Sequence, residues 1–447
     1  MSNPIFIARQ DTLENDILPA HWLSQYKLFG EESYTFQDKE IWKKLCMSRA
    51  AANDRDMHGE VLEEMLTTFS AEHTGKWMLT VYGMDAAVLE GLATMAAIAA
   101  NGTAMAAVAG NALLMHAITN SETAMQAISR SQTAMQRIAN STTAMDAIGG
   151  SKIARDAVQA SPYYNSYIKE NDMAIAKLAV ALANLESAGY SGCAGMAADS
   201  TAMTAIAASS AAMTAIAVSA VAMNAIGGNS IARDAILASS YYDANIREND
   251  MAIAKLVVGF ANLESARYSG CAGMAADSTA MTAVAASSTA MTAVAASSTA
   301  MTAVAASGVA LKAIAQAYKK TANMLQFLQA VNASDTLVKR IYNTLTGATG
   351  LFGAAQLGAQ DGVADANSWA TTSAAPNAFL ACACGYYNSG GASVDVTYNG
   401  TVIAQNKTGT RQPGSVTSTN VDAITMAPST FTENGDGWLA VQKFTAK

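Results

Sequence analysis

Basic residues are scarce and never gathered. Lysine and arginine number 27 against 35 acidic residues, a net charge of −8. No run of them forms the concentrated basic face that phosphate neutralisation needs, which excludes nucleic acid as a partner. Aromatic residues make up 7% and charged residues 14% of 447 positions, although 51% are hydrophobic. The apolar share comes mainly from alanine, so burial must proceed through many small contacts. Long hydrophobic runs are also missing. Asn, Ser, Thr or Gly interrupts the alanine-rich tract every few residues, short of the roughly 20 apolar residues that a bilayer crossing requires, and no membrane insertion is expected. The start, MSNPIFIARQDTLENDILPAHW, has no basic segment followed by an apolar core, so no secretory signal is expected.

Cysteine and histidine are equally sparse. Cys46, Cys193, Cys271, Cys382 and Cys384 are too few and too scattered for a disulfide scaffold, which points to folding in a reducing cytosol. Cys382 and Cys384 form a lone C-x-C without a second pair, and His58 among Asp54, Asp56 and Glu60 reads as a solvated polar run, so no metal site is expected. The histidines are His21, His58, His73 and His116, and no nucleophile elbow, zincin, P-loop or dinucleotide fingerprint occurs. The expectation is a protein that is not an enzyme and takes no cofactor.

What the chain has in abundance is repetition. From about residue 93 to 318 it runs in tens, with methionine at 95, 105, 115, 125, 135 and 145, again at 203, 213 and 223, and again at 281, 291 and 301. A β-branched residue follows three positions after each, as in Met125 and Ile128, Met203 and Ile206, Met281 and Val284, which are the expected repeat-packing positions. A longer duplication overlies the tens: the block around AMDAIGGSKIARDAV recurs displaced by 78 residues, so that Met145 maps to Met223, Arg155 to Arg233 and Cys193 to Cys271.

The Met and Ile spacing with flanking alanines marks one face of a short helix. An unbroken helix would rotate that face by roughly 80° per ten residues, away from any fixed partner. Ser-Ser, Asn-Ser and Gly-Gly pairs between units supply caps and stops. The expected fold is therefore mainly α, a short-helix decapeptide solenoid or, as the other arrangement, a multi-chain helical shaft, in which neighbours or partner chains stabilise helices too short to stand alone. MAIAKLAVALANLESA and MAIAKLVVGFANLESA read as helices of four turns. The Tyr163-Tyr164 and Tyr241-Tyr242 pairs before them read either as plugs at a joint or as a ligand platform.

Four segments follow: a small, mostly helical N-terminal anchoring domain over 1–85, the repeat shaft over 86–318, a helical clamp over 319–347, and a C-terminal all-β, sandwich-like domain over 348–447. SVDVTYNGTVIAQN is a hairpin signal with Asn399-Gly400 as its turn. Recurrent threonines such as Thr143, Thr201 and Thr279 raise the weaker idea of an ice-binding surface.

A folded N-terminal head, a low-complexity tract of NSTTAMDAI and SSTAMTAVAAS decapeptides and a C-terminal β tip together resemble the tail-fibre and whisker-type appendage proteins of tailed bacteriophages. Many fibres of that class have β-structured shafts, from which this helical tract departs. The resemblance implies a homo-oligomer, a trimer by preference, assembled in the host cytoplasm into the virion. It implies an N-terminal domain that binds other virion proteins and a C-terminal domain that meets the host cell surface. Candidate tip contacts are Tyr386, Tyr387, Tyr398 and Trp438, because aromatics are common at recognition surfaces; the same residues suit a sandwich core. The alternative reading is a capsid, collar or baseplate structural or decoration protein that binds sister virion proteins without receptor contact.

Overall fold

In the computed structural model, residues 94–317 and 324–360 are described continuously, together with Val88, Leu92 and residues 368–371, 377–386, 393–408, 410–411, 415–426, 429–434 and 437–447. The N-terminal domain expected over 1–85, His58 and its acidic neighbours included, lies outside them. The chain is mainly helical and carries two small sheets near its C-terminus. It divides into two compact units, Met1–Ala222 and Met223–Lys447, and the division falls inside the repeat tract.

The first unit contains α1 (Met95–Ala100), α2 (Gly102–Gly110), α3 (Ala112–Thr119), α4 (Glu122–Ser129), α5 (Gln132–Ala139), α6 (Thr142–Gly150), α7 (Lys152–Gln159), α8 (Tyr164–Tyr167), α9 (Asp172–Leu182), α10 (Cys193–Ala198), α11 (Ser200–Ala207) and α12 (Ser210–Ala217). α13 (Ala220–Gly228) straddles the division. One or two residues separate most neighbours within the tens, the last of them typically extended. At the α4 to α5 junction, Ser131 sits at φ −104° and ψ 120° and accepts a hydrogen bond from Ala134 N through its hydroxyl. Its own N–H donates to Ile128 O at 3.0 Å, which tightens the last turn of the helix before it.

Such a junction bends the path sharply: α11 and α12 lie 103° apart. Three bends of that size bring the fourth helix back over the first. Accordingly α1 packs on α4, α2 on α5, α3 on α6, α4 on α7 and α6 on α9. Met125, Ile128, Met203 and Ile206 are fully buried, as is the alanine before each methionine. The Met and Ile faces are therefore satisfied within one chain, and the coils need no partner chain to fill their interior.

The cap serines also tie the coils together. Ser131, Ser141, Ser151 and Ser161 each donate the hydroxyl proton to a carbonyl 32 residues earlier, those of Ala99, Ala109, Thr119 and Ser129, at 2.5–2.7 Å. These carbonyls lie in the last turns of helices, where no intrahelical donor remains.

The Gly149-Gly150 pair ends α6, as expected of a glycine pair, and neither residue is left-handed. Gly149 also makes room, because a Cβ there would meet Ser187 Oγ at 2.8 Å. One expectation is corrected: the segment after Asn171 is a helix of 11 residues rather than four turns. It stops because Asn184 adopts φ 59°, with Asn184 N bonded to Ala181 O and Leu185 N to Val180 O. Asparagine here takes the left-handed position that glycine commonly fills at helix ends.

The second unit continues with α14 (Ser230–Leu237), a π-helical turn (Asp243–Arg247), α15 (Asp250–Phe260), α16 (Cys271–Ala276), α17 (Ser278–Ala286), α18 (Ser288–Ala296), α19 (Ser298–Ala305), α20 (Gly308–Ala317), α21 (Met324–Asn332) and α22 (Asp335–Gly347). The same stacking holds: α15 on α18, α16 on α19, α17 on α20, α18 on α21 and α19 on α22. Met281 and Val284 are fully buried. Thr279 and Thr289 sit on successive helices 102° apart, so threonines of neighbouring repeats do not share one flat row.

Among the described residues, nine strands follow: β1 (Phe352–Gln360), β2 (Ser368–Thr371), β3 (Ala378–Tyr386), β4 (Ser393–Tyr398), β5 (Thr401–Thr408), β6 (Thr410–Arg411), β7 (Ala423–Met426), β8 (Ser429–Asn434) and β9 (Gly437–Ala446). One sheet runs β1-β9-β3-β6 with β7 also paired to β3, and the other runs β2-β8-β4-β5; all pairings are antiparallel except that of β6 with β3. The expected hairpin is present, with Asn399 and Gly400 at φ 48° and 78° joining β4 to β5. Helices α21 and α22 fasten the last coil to this domain. Asn332, 3% exposed, donates to Ile424 O and accepts from Ile424 N, while Tyr342 donates to Val416 O and packs edge-on against Phe444.

Replacing Ser151 by Ala removes a helix cap and the bond to Thr119 O together. A loss of about 2 kcal/mol is expected in denaturant unfolding, against less than about 0.5 kcal/mol for Ala at the exposed Thr204.

Candidate functional site

Of the expected tip aromatics, Tyr398 has a described side chain, and Tyr386 and Trp438 are placed by their strands. Tyr398 closes β4 opposite Thr401, and the strand alternates so that Val394, Val396 and Tyr398 face inward. Tyr398 is 4% exposed, so it fills the core, and its candidacy as a tip contact is withdrawn. Tyr386 and Trp438 stand on adjacent strands one register step apart, Gly385 being opposite Trp438 and Gly437 opposite Tyr386. Tyr387 lies outside the described residues.

The same domain holds a cluster of titratable groups around the C-x-C. Cys382 and Cys384 are both buried on β3 and form no disulfide, and the Cys384 thiol donates to Lys407 O at 3.1 Å. Asp422, just before β7, accepts from Cys384 N at 2.7 Å, and its own N–H donates to Cys382 O. Burial pushes the Asp422 carboxyl up to about 6 against the pull of that hydrogen bond and of Lys407. Burial and the neighbouring Asp422 push the Cys382 thiol far above its ordinary range. Lys407 in turn holds Asp335 on α22 at 2.9 Å and lowers its carboxyl. A thiol held protonated, as that of Cys382 is, makes a poor nucleophile and a poor metal ligand, and the bonds of Asp422 and Lys407 join β3, the start of β7 and α22.

A second constellation, which the repeat pattern conceals, lies at the joints of the duplicated blocks. Lys177 in α9 is wholly buried; its ammonium donates to Asp146 Oδ1 at 2.5 Å and to Ser187 O at 3.0 Å. Lys255 in α15, 2% exposed, repeats the arrangement with Asn224 Oδ1 at 2.6 Å and Ser265 O at 3.2 Å. Asp172 accepts from Cys193 N and caps α10 from 21 residues away, and Asp250 does the same for Cys271. The Cys193 thiol donates to the Asp172 carbonyl, which accounts for the paired cysteines as packing and capping residues. Glu248 accepts from Ser298 N and Thr299 N and from both hydroxyls at the start of α19, and these bonds hold its carboxyl low despite burial. Glu170 receives Ala220 N and Val221 N in the same way.

A cavity of about 590 Å³ beside Lys177 is bordered by His116, Thr143, Asp146, Glu186 and Ser187. The carboxylate of Asp146 is already engaged by Lys177 and Ser187. No group of three His, Cys, Asp or Glu residues suited to a metal ion occurs among the described residues. The signal for these joints in the sequence is a single lysine inside AIAKLAV and AIAKLVV, retained in both copies within an otherwise apolar run.

No protein-family model matches this chain, and no curated protein is similar to it.

Two predictions follow from these clusters. Asp146→Ala strands a buried ammonium and is expected to cost about 3 kcal/mol in urea unfolding, Asp146→Asn less because it reproduces the Lys255 site, and Lys177→Met within about 1 kcal/mol of the parent. For Asp422, the folded state holds its proton up to about pH 6 while the unfolded state releases it near 3.8, so ionisation destabilises the fold between those values and above. Asp422→Asn should be more stable than the parent at pH 7, and the difference should vanish as pH falls to 4.

Proposed function

We propose that this chain is a structural appendage protein of a tailed-bacteriophage virion, a tail fibre or a related fibre, without enzymatic activity. Its N-terminal region attaches to other virion proteins, the repeat tract acts as a spacer, and the C-terminal β domain recognises the host surface. The carrying observation is the way α21 and α22 join a stack of three-helix coils to the β domain through Asn332 and Tyr342. A spacer should hold its distal domain in a fixed attitude, and buried two-sided hydrogen bonds do that better than a flexible linker.

A repeat whose copies each add one helix to a self-capping coil suits a length-setting element, since copies can be gained or lost without disturbing the core. A homo-oligomer, a trimer by preference, would join outside the coil interiors, which are already filled. Several identical tips on one particle would then raise avidity without strong single contacts. Tyr386, Tyr387 and Trp438 remain the candidate contacts at the tip.

The test is competition. Excess purified full-length protein, added to host cells before particles that carry it, should lower adsorption at least severalfold, and protein bearing Tyr386→Ala and Trp438→Ala should compete less well. Unchanged adsorption with the parent protein would refute the reading.

A further inference from the structure

Among the described residues, two carry a buried donor with no hydrogen-bond partner, Tyr242 at its hydroxyl and Arg247 at Nε, and both belong to one joint of the second unit. Arg247 Nε still lies 3.6 Å from Glu248 Oε1 in an ion pair, whereas the Tyr242 hydroxyl forfeits water without compensation, which is rare in folded proteins. Tyr242 is 7% exposed, and its phenol is pushed up to about 12, chiefly by burial and then by the charge of Asp243. It is a standing donor over the whole physiological range.

Tyr242 also borders a cavity of about 300 Å³, with Leu237 of α14 beside it and Ser288, Thr289 and Thr292 of α18 across from it. That volume lies at the small end of ligand pockets. Directly after Tyr242 the chain makes the π-helical turn, whereas the other copy of the block makes an α-helical turn at Tyr164–Tyr167. Turns of the π type are frequent at functional sites. The copies also differ in what corresponds to the lining: Gln159 stands for Leu237, Ala211 for Thr289 and Val218 for Ala296. Tyr164 itself is only half-buried.

We propose that this cavity is a binding site for a small neutral polyhydroxylated ligand, one sugar unit in size, that accepts a hydrogen bond from the Tyr242 hydroxyl. The lining carries no charged side chain, and the charges nearest Tyr242, the Arg247 guanidinium against the Asp243 and Glu248 carboxylates, are paired with one another, which suits a neutral ligand. Thr289 of α18 lines the cavity as a further polar group, the Thr292 hydroxyl being already bonded to Ser288 O, while Leu237 and Ala293 offer apolar wall to the C–H face of such a ligand. Leu237 is 42% exposed and so is free to move aside as the ligand reaches the phenol. The site stands or falls independently of the appendage role.

The experiment uses the full-length protein with glucose, galactose and N-acetylglucosamine at millimolar concentration, read by saturation-transfer NMR and by melting temperature. At least one sugar should bind, with affinity about tenfold weaker in Tyr242→Phe, which deletes only the hydroxyl, and weaker also in Thr289→Val. Without sugar, Tyr242→Phe should melt at or above the parent temperature, because it removes an unmet donor. Binding of none of the three sugars, equal binding by parent and Tyr242→Phe, or a lower melting temperature for that variant without sugar would each overturn the proposal.

Discussion

A serine hydroxyl with two bonds holds the repeat together. As acceptor it completes the first turn of its own helix, and as donor it closes the last turn of a helix one coil earlier. Helices of eight or nine residues are unstable alone, because the cost of nucleation is spread over too few hydrogen bonds and each end leaves several backbone groups unmet. Here Ser141 meets Ala144 N and Ala109 O with one side chain. The ends that would otherwise weaken a short helix become the contact between coils. Since the same residue also takes the extended conformation that bends the path, capping, turning and stacking all reside in one position of the decapeptide.

The interior follows from that geometry. Helices crossing at about 100° around a common centre leave little room, and alanine before each methionine lets the backbones approach while the unbranched methionine fills what remains. Where the pattern of tens breaks, the path must be held by something else. The joints use charge: Lys177 and Lys255 reach through the interior to a loop carbonyl, and Glu170 and Glu248 seat on the first turn of a helix about 50 residues later. The duplication shows which of these bonds tolerate change. Asp146 becomes Asn224 and the lysine stays buried, so the contact needs an acceptor more than it needs an ion pair.

Much of this was legible in the residues. The period of ten, the Met and Ile face, the capping role of serine and asparagine and the Asn399-Gly400 hairpin are all local signals, and local signals survive without an alignment. Closure over three helices is not local: nothing in SSTAMTAVAA states that the bend is near 100° rather than 180°. The helix α9 ends short of the four turns its apolar run suggests because Asn184 takes the left-handed conformation, a stop that asparagine signals less strongly than glycine. The buried lysines were overlooked because a lone charge in an apolar helix suggests an exposed stripe, and its partners come from 31 and 10 residues away. For Tyr398 the residues leave tip contact and sandwich core both open, and burial decides for the core: an aromatic beside a tight turn is exposed or buried according to strand register, which its own sequence does not reveal.

The join between coil and sheet sets the mechanical character of the second unit. Asn332 sits on the last turn of α21 and bonds both the N–H and the carbonyl of Ile424. It thereby acts as one more strand residue against β7, offered by a helix. Tyr342, one turn into the bulkier face of α22, reaches Val416 and Gln442 and packs on Phe444. Both contacts are buried, so a tilt of the sheet relative to the helices would leave polar groups unmet in a dry interior, at about 1–3 kcal/mol for each. Thr344 extends the same constraint back to the coil by donating to Ala305 O at the end of α19. The β domain is thus held by the last coil as that coil is held by the one before it, through a side-chain donor aimed at the open end of a helix.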